Sequence, residues 1–196
     1  MARAVLCSLC VLVVMMIATP ALAHGGGAVT GGFLAGVAHP LFGPDHIAAM
    51  VAVGLWSALL GPPAIWLLPV IFPLVMAFGG VLGILGLALP DTERAIAGSA
   101  IVLGVMVLGA LRSPLWLAAA IVGFFAIFHG NAHGRELPAD ADAVTYCLGL
   151  VVATGLLHLA GIAFGLLARW PAGRIAVRAA GGVITLAGAA FLLGAA

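Results

Sequence analysis

The fold is decided by apolar stretches long enough to cross a membrane, and the first of these reads, from residue 31 to residue 60, GGFLAGVAHPLFGPDHIAAMVAVGLWSALL. A helix that spans a bilayer needs roughly 20 consecutive apolar residues. Five further stretches of this kind cover residues 64–89, 95–112, 114–132, 143–168 and 174–195, and Gly and Pro punctuate the short links between them. The pattern predicts an all-α bundle of six transmembrane helices, in which the short links make consecutive helices neighbours.

The composition excludes most soluble proteins. Of 196 residues, 65% are apolar and only 7% are charged, and the formal net charge is +1. A typical soluble domain has about 25% charged residues, and a soluble chain of this size would expose far too much apolar surface. These values exclude a soluble enzyme, a nucleic-acid-binding protein and a disordered chain. They indicate a multi-pass membrane protein whose surroundings are the lipid bilayer.

Residues 1–23 have the pattern of a secretory signal peptide. An arginine near the N-terminus precedes an apolar segment, and an Ala-Leu-Ala cleavage site ends at Ala23. We expect cleavage before His24, which leaves a single six-helix transmembrane domain over residues 24–196. The alternative is that the segment remains as an uncleaved first transmembrane helix. The mature chain keeps one cysteine, Cys147, which excludes an internal disulfide and a thiolate metal cage.

The charges and tryptophans predict the orientation in a bacterial inner membrane. Signal cleavage places the mature N-terminus in the periplasm, and six spans return the C-terminus to the same side. Cytoplasmic ends are enriched in arginine and indole rings anchor at membrane boundaries. On this layout the cytoplasmic arginines are Arg112, Arg169, Arg174 and Arg178, and the periplasmic ones are Arg94 and Arg135. The tryptophans at the cytoplasmic boundary are Trp56, Trp66, Trp116 and Trp170.

Ionisable residues inside a predicted span are costly in a bilayer and mark function by default. The first span contains His39, Asp45 and His46. The prolines and glycine of Pro40–Pro44 cannot all lie in a regular helix, so we expect the first helix to be broken there. Backbone groups freed by a break are tolerated only where protein or a wet cavity surrounds them. Ion sites of transporters are often built at such interrupted helices.

Further candidate ligands lie in two other spans and at the mature N-terminus. His129 and His133 end the fourth span one turn apart, on one helix face, and Glu136 follows after another turn. Two imidazoles at this spacing are a common way to hold a transition metal. His158 stands alone in the fifth span. His24 would become the mature N-terminus, where its amine and imidazole together can chelate a metal.

The predicted depths bring these groups onto one path. Counted at about 1.5 Å per residue from the cytoplasmic boundary, they lie between the midplane and the periplasmic surface. The order is Glu136, His133, His39, His129, then Asp45, His46 and His158. Imidazole and carboxylate ligands suit Ni²⁺, Co²⁺, Zn²⁺ and Cu²⁺ better than Ca²⁺ or Mg²⁺. We interpret the set as a divalent-metal site. The alternative is a group of buried histidines satisfied by backbone carbonyls and each other, with Thr154 as the partner of His158.

These motifs resemble those of the HupE/UreJ family of hydrogenase and urease accessory membrane proteins. The H-x5-D-H signature of that family corresponds to residues 39–46, and its F-H-G-x-x-H-G-x-E signature to residues 128–136. The L-H-x-x-G element corresponds to residues 157–161, and the His24-Gly25 start is also similar. The resemblance implies a nickel permease, with cobalt as the substrate of some members.

The leading hypothesis is uptake of Ni²⁺ from the periplasm for hydrogenase or urease maturation, by a protein that is not an enzyme and holds no prosthetic group. Asp45 and Glu136 would offset the charge of the ion while side chains replace its hydration shell. Without a P-loop pattern, the chain has no means of using ATP. The alternatives are a zinc-dependent intramembrane hydrolase and a metal-binding chaperone or sensor without transport. Nickel versus cobalt, contacts with maturation proteins and the oligomeric state stay open at the level of sequence.

Overall fold

The computed structural model describes residues 32–194, and within that range the protein consists of helices and links without a β-strand. The all-α prediction is confirmed there. The predicted signal peptide, residues 1–23, and His24 lie outside the described residues. In chain order the helices are α1 (Gly32–Phe42), α2 (Pro44–Leu60), α3 (Ala64–Ile84), α4 (Thr92–Leu108), α5 (Leu115–Arg135), α6 (Ala143–Gly165) and α7 (Pro171–Leu192), with a 3₁₀ turn at Leu166–Arg169.

Several helices are long and apolar enough to cross a membrane. They are α3, α5, α7, and α6 together with its 3₁₀ turn. Helices α1 and α2 satisfy the same requirement only as one broken span. Helix α4 has 17 residues, about 25 Å at 1.5 Å per residue, and is shorter than the roughly 20 residues of a full span. The structure therefore has four candidate spans, or five with the broken pair, and indicates a multi-pass membrane protein.

The first predicted span is broken, as its prolines and glycine indicate. Helices α1 and α2 are bent by 82° relative to each other, and the break falls at Gly43. Pro44 is the first residue of α2, where its missing N–H costs no helical bond. The Gly43 carbonyl accepts the first bond of α2, from the N–H of Ile47 at 2.9 Å. Pro40, also expected in the break, lies inside α1 near its end, where only the Gly36 carbonyl loses its usual donor.

Consecutive helices are not the main packing partners. The most extensive contacts join α3 with α5, α4 with α7, and α6 with both α1 and α2. The prediction that short links make consecutive helices neighbours is therefore wrong as a rule for this bundle. A short link brings two helix ends together, but close approach along the helices depends on small residues at the contact.

Glycines allow these close approaches. In the α3–α5 contact, a methyl group added at Gly79, Gly83, Gly130 or Gly134 would overlap backbone atoms of the opposite helix. The equivalent glycines at the other contacts are Gly36 (α1 with α6), Gly54 and Gly161 (α2 with α6), and Gly104 and Gly181 (α4 with α7). In α5, two of these glycines directly follow His129 and His133. The same short segment therefore sets both the helix spacing and the position of two candidate ligands.

The two ends of the bundle carry opposite charges. The acidic end, where α2, α4 and α6 begin, carries Asp45, Asp91, Glu93, Glu136, Asp140 and Asp142. The arginine end, where α7 begins, carries Arg112, Arg169, Arg174 and Arg178. Two further arginines, Arg94 and Arg135, lie at the acidic end, and Arg94 pairs with Asp91 at 3.1 Å.

Three of the four tryptophans are exposed and one is buried. Trp66, Trp116 and Trp170 are exposed, as side chains at a lipid–water boundary are. Trp56 is fully buried, and its indole N–H donates a hydrogen bond of 2.9 Å to the carbonyl of Leu111. The expectation that Trp56 anchors at the membrane boundary is wrong, because this ring instead fastens the α4–α5 link to the core of the bundle.

The glycine contacts give a test of the packing. The substitution Gly130→Ala places a methyl group against the Met76 carbonyl of α3, and we expect it to cost about 1–3 kcal/mol, as overpacking does in other cores. Gly123→Ala is the matched control on the same helix, because its methyl group meets only ordinary van der Waals contact. Thermal unfolding of the purified variants should show a lowered Tm for the first and an unchanged or raised Tm for the second. Equal Tm values would contradict the packing role of Gly130.

Candidate metal centre

Three histidines from three helices meet at the break. One ligand nitrogen each from His39 on α1, His46 on α2 and His133 on α5 lie within 4.8 Å of one another. The ring centroids are 4.7 Å apart for His46 and His133, 4.8 Å for His39 and His133, and 5.8 Å for His39 and His46. The two histidine clusters are more than 80 residues apart in the sequence, and the fold brings them together.

The break itself orients His46. Asp45 lies in the first turn of α2, where a carboxylate is favoured by the helix dipole. Its Oδ1 accepts the backbone N–H of His46 at 2.8 Å and lies 2.8 Å from Nδ1 of the same residue. Because the carboxylate accepts, Nδ1 carries the proton, and in the neutral ring Nε2 keeps the lone pair that a metal ion would use. Carboxylates commonly fix metal-binding histidines in this way.

A second carboxylate contacts the cluster from the acidic end. Glu136 directly follows α5, and its Oε2 lies 3.0 Å from Nε2 of His39. The hydrogen bond with His39 lowers the pKa of the Glu136 carboxyl below its ordinary value, against the opposing effect of partial burial. Both side chains are partly exposed. This pair therefore forms the water-facing edge of the site, whereas His46 and His133 lie deeper.

His129 extends the cluster inward from His46. Its ring centroid lies 5.2 Å from that of His46. Its Nδ1 lies 3.0 Å from the carbonyl of Phe125, one turn earlier, so Nδ1 donates and Nε2 keeps its lone pair. The predicted depth order put Asp45 and His46 below His129. The ring contacts instead place His46 between His129 and His39.

Several ring nitrogens in the site are buried without a hydrogen-bond partner in the described structure. They are Nε2 of His46, Nε2 of His129, and both nitrogens of His133. A buried polar atom without a partner costs about 1–3 kcal/mol. The alternative of histidines satisfied by carbonyls and by one another therefore holds for one nitrogen of His129 and leaves the others unexplained. These atoms have the lone pairs that a bound cation would use.

His158 is separated from the cluster by an aromatic ring. Phe72 of α3 is fully buried, and its ring centroid lies 5.4 Å from that of His129 and 5.2 Å from that of His158. The hydrogen bond between His158 and Thr154, which the alternative of satisfied histidines requires, is not formed, since the Thr154 hydroxyl lacks a partner. The structure thus places His158 beyond Phe72 rather than among the other candidate ligands.

Sequence reasoning missed three residues around the site. Phe72 and Tyr146 are buried beside the histidines, with the Tyr146 ring centroid 6.3 Å from that of His39 and its hydroxyl unpartnered. The side chain of Asn131 accepts the N–H of Leu89 and donates to the carbonyl of Leu87, so it ties the α3–α4 link to α5. A polar side chain inside an apolar span was the available signal for Tyr146 and Asn131. Phe72 had none, because phenylalanine is ordinary in such a span.

The arrangement has the chemistry of a site for a borderline divalent cation. Imidazole nitrogens and carboxylate oxygens are the ligand types that Ni²⁺, Co²⁺ and Zn²⁺ share, and the two carboxylates, Asp45 and Glu136, equal the charge of one dication. A cavity of about 30 Å³ with a mostly apolar lining lies beside His133 and Tyr146. Met50 lies one turn after His46 and could offer a soft thioether ligand, but it is fully buried in the hydrophobic core.

Comparison with known proteins agrees with these motifs. The sequence profile of the HupE / UreJ protein family matches residues 12–191. Protein HupE of Rhizobium leguminosarum bv. viciae is 48% identical over 179 residues, which cover 91% of this chain and 94% of that protein. No solved structure is significantly similar to the chain. The extent of both sequence matches shows that the chain belongs to the HupE / UreJ family.

Proposed function

We propose that this protein is a permease for a divalent transition metal, Ni²⁺ or Co²⁺, that supplies hydrogenase or urease maturation. The observation that carries the proposal is the meeting of His39, His46 and His133 from three helices, with Asp45 and Glu136 against two of them. A resident structural site would hold its ion in a closed shell. Here the partly exposed pair of His39 and Glu136 leaves one side open to water, as a transport site requires.

The path begins at the acidic end. Carboxylates gathered at one end of a protein raise the local concentration of cations there. Asp142 is one of them, and hydrogen bonds from Thr145, the backbone N–H first, lower the pKa of its carboxyl, so it stays charged at neutral pH. The ion then exchanges water for Glu136 and His39, and next for His133 and His46. Stepwise exchange keeps each step small enough for release to remain feasible.

The proposal includes a barrier at Phe72. The Phe72 ring contacts both His129 and His158 at steep interplanar angles, with centroid distances of 5.4 Å and 5.2 Å. An ion held at the outer histidines, which are His39, His46 and His133, reaches His158 only when Phe72 moves. Alternation between closed and open states of this kind is usual for transporters with a buried site. His158, whose ring contacts the other side of Phe72, then receives the ion.

The topology we propose has six spans in a bacterial inner membrane, with a cleaved signal peptide and both mature termini in the periplasm. The supporting observation is the charge difference between the two ends of the bundle, since arginine-rich ends face the cytoplasm. The short helix α4 then crosses with the help of its flanking residues, because bilayers thin locally around short spans.

A metal-binding chaperone or sensor without transport is the second candidate. The barrier at Phe72 favours it, because a site closed on its inner side also serves binding alone. A zinc-dependent hydrolase has less support. Its candidate nucleophiles in the described residues would be serines. The hydroxyls of Ser57 and Ser99 donate to carbonyls of their own helices, and Ser113 lies in the link at the arginine end, away from the histidines. We therefore propose a protein that is not an enzyme.

Metal flux into liposomes tests the permease. We expect Asp45→Ala to lower the initial rate of Ni²⁺ or Co²⁺ uptake at least tenfold, because it removes a negative charge and releases the His46 ring. Asp91→Ala is the matched control, since that carboxylate contacts only Arg94 at the surface, and its rate should stay within twofold of wild type. Tight metal binding without flux in the wild-type protein would exclude the permease and leave the chaperone or sensor.

The barrier gives a separate prediction. We expect Phe72→Leu to raise the uptake rate several-fold while the Kd for metal at the outer histidines changes less than threefold, because the smaller side chain opens the inner side only. Phe78→Leu, at an exposed position of the same helix, should change neither quantity. An unchanged or lowered rate for Phe72→Leu, at normal expression and Tm, would contradict the barrier.

Cysteine labelling tests the topology. In a Cys147→Ser background, we expect a membrane-impermeant maleimide to label Ala139→Cys, in the α5–α6 link, on intact cells. Ala172→Cys, at the start of α7, should react only after the membrane is permeabilised. The reverse pattern would overturn the proposed orientation, and labelling of both sites on intact cells would overturn the span count.

A further inference from the structure

The arginine end contains a cavity that metal uptake does not explain. Its volume is about 510 Å³, and it lies between the end of α2, the α4–α5 link, the 3₁₀ turn and the first turns of α7. Four of the seven arginines of the chain line it: Arg112, Arg169, Arg174 and Arg178. The remaining lining residues have small or apolar side chains.

These four positive charges have no protein counter-charge in residues 32–194. All the carboxylate side chains of the chain lie at the acidic end, and the ion pairs that the described structure contains involve His39, His46 and Arg94 instead. Like charges that share a cavity repel one another. A group of four guanidinium ions around one space therefore favours an anion inside it.

Three of the arginines are held in place by contacts that leave their terminal nitrogens free. Arg178 donates from Nε to the carbonyl of Leu108 at 2.7 Å, and Arg174 donates from Nε to the carbonyl of Ala168 at 3.1 Å. The guanidinium carbon of Arg169 lies 3.9 Å from the ring centroid of Trp170. A guanidinium fixed through Nε or by stacking still presents two NH₂ groups, the pair that binds a phosphate in bidentate fashion.

The fourth arginine lies on a link that the core holds in position. The fully buried Trp56 donates its indole N–H to the carbonyl of Leu111, the residue directly before Arg112. The wall of the cavity that carries Arg112 is thus attached to α2 by a hydrogen bond from inside the bundle. Preorganisation of this kind lowers the entropic cost of binding a ligand.

We propose that this cavity binds the phosphate groups of an anionic phospholipid. The shared chemistry is a phosphate anion held by paired guanidinium groups. A lipid is favoured over a soluble phosphate because large exposed apolar side chains, which suit acyl chains, belong to the lining or to its rim, defined as residues that bond to or directly adjoin a lining arginine. Leu166 lines the cavity, and the rim residues of this kind are Leu108, Leu111 and Ile175. Exposed Trp170 adjoins the same rim, as indole rings do at the level of lipid head groups. Four arginines further favour a lipid with two phosphates, since basic pockets between helices bind such head groups.

A general bias of arginine toward the cytoplasm does not account for this arrangement. That bias concerns the number of positive charges in a loop and requires no common position. Here the charges come from three separate segments and meet around one space, and side chain–backbone bonds fix two of them, Arg174 and Arg178. The site lies at the opposite end from the histidines, so the lipid proposal does not depend on metal transport.

Lipid retention by the purified full-length protein tests the proposal. Native mass spectrometry and thermal unfolding would compare cardiolipin, phosphatidylglycerol and phosphatidylcholine added to the detergent-solubilised protein. We expect cardiolipin to bind and raise the Tm of the wild type, and phosphatidylcholine to do neither. The double substitution Arg174→Gln with Arg178→Gln should weaken cardiolipin binding at least tenfold. The matched control, Arg94→Gln with Arg135→Gln at the acidic end, should bind as the wild type does.

A conservative variant and a lipid-free arm complete the test. Arg178→Lys keeps the charge but loses the paired NH₂ groups and the Nε bond, so we expect an intermediate loss of binding, which also guards against misfolding of the double variant. Equal cardiolipin binding by wild type and both arginine-end variants would overturn the site. Stabilisation by inorganic phosphate without lipid binding would overturn the lipid assignment in favour of a soluble phosphate ligand.

Discussion

The structure depends on one constraint, which is that the backbone groups freed at a helix break must be covered by protein or reached by water. At Gly43 part of this need is met locally, since the Gly43 carbonyl accepts the N–H of Ile47 and begins α2. Helix α6 packs along both halves of the broken span, with Gly36 and Gly161 allowing the approach. The break in turn directs Asp45 and His46 toward α5. Helix cover and candidate metal site are therefore consequences of the same interruption.

Much of this could be predicted from the sequence because the signals are local. Apolar length located the helices, and the two prolines around Gly43 located the break. Spacing of one helical turn put His129 and His133 on one face, and the structure brings that face to the break. The number of membrane spans was harder to predict, because α4 is apolar but short. Length and composition decide whether a helix can cross a bilayer, and they decide least for a 17-residue helix.

The parts that could not be predicted are those that depend on tertiary contacts. Trp56 has the sequence context of a boundary residue, yet packing of the α4–α5 link over it buries the ring. Phe72 is one of many aromatic and aliphatic residues in uniformly apolar spans, and only the pairing of α3 with α5 and its proximity to α6 make it a neighbour of two histidines. The pairing itself follows from glycines on both partners at once, which a reading of one helix at a time does not reveal.

The charges at each end of the bundle act on an ion that is close to that end. Carboxylates at the acidic end lower the energy of an approaching dication, whereas four unpaired arginines at the far end raise the energy of one that leaves. At physiological salt such effects extend over about 8 Å, so they act mainly on an ion close to the arginine end. A lipid phosphate held by Arg174 and Arg178 would remove part of that repulsion. Under the two proposals together, the lipid phosphate in the arginine cavity lowers the energy barrier to release of the metal ion and contacts none of the metal ligands.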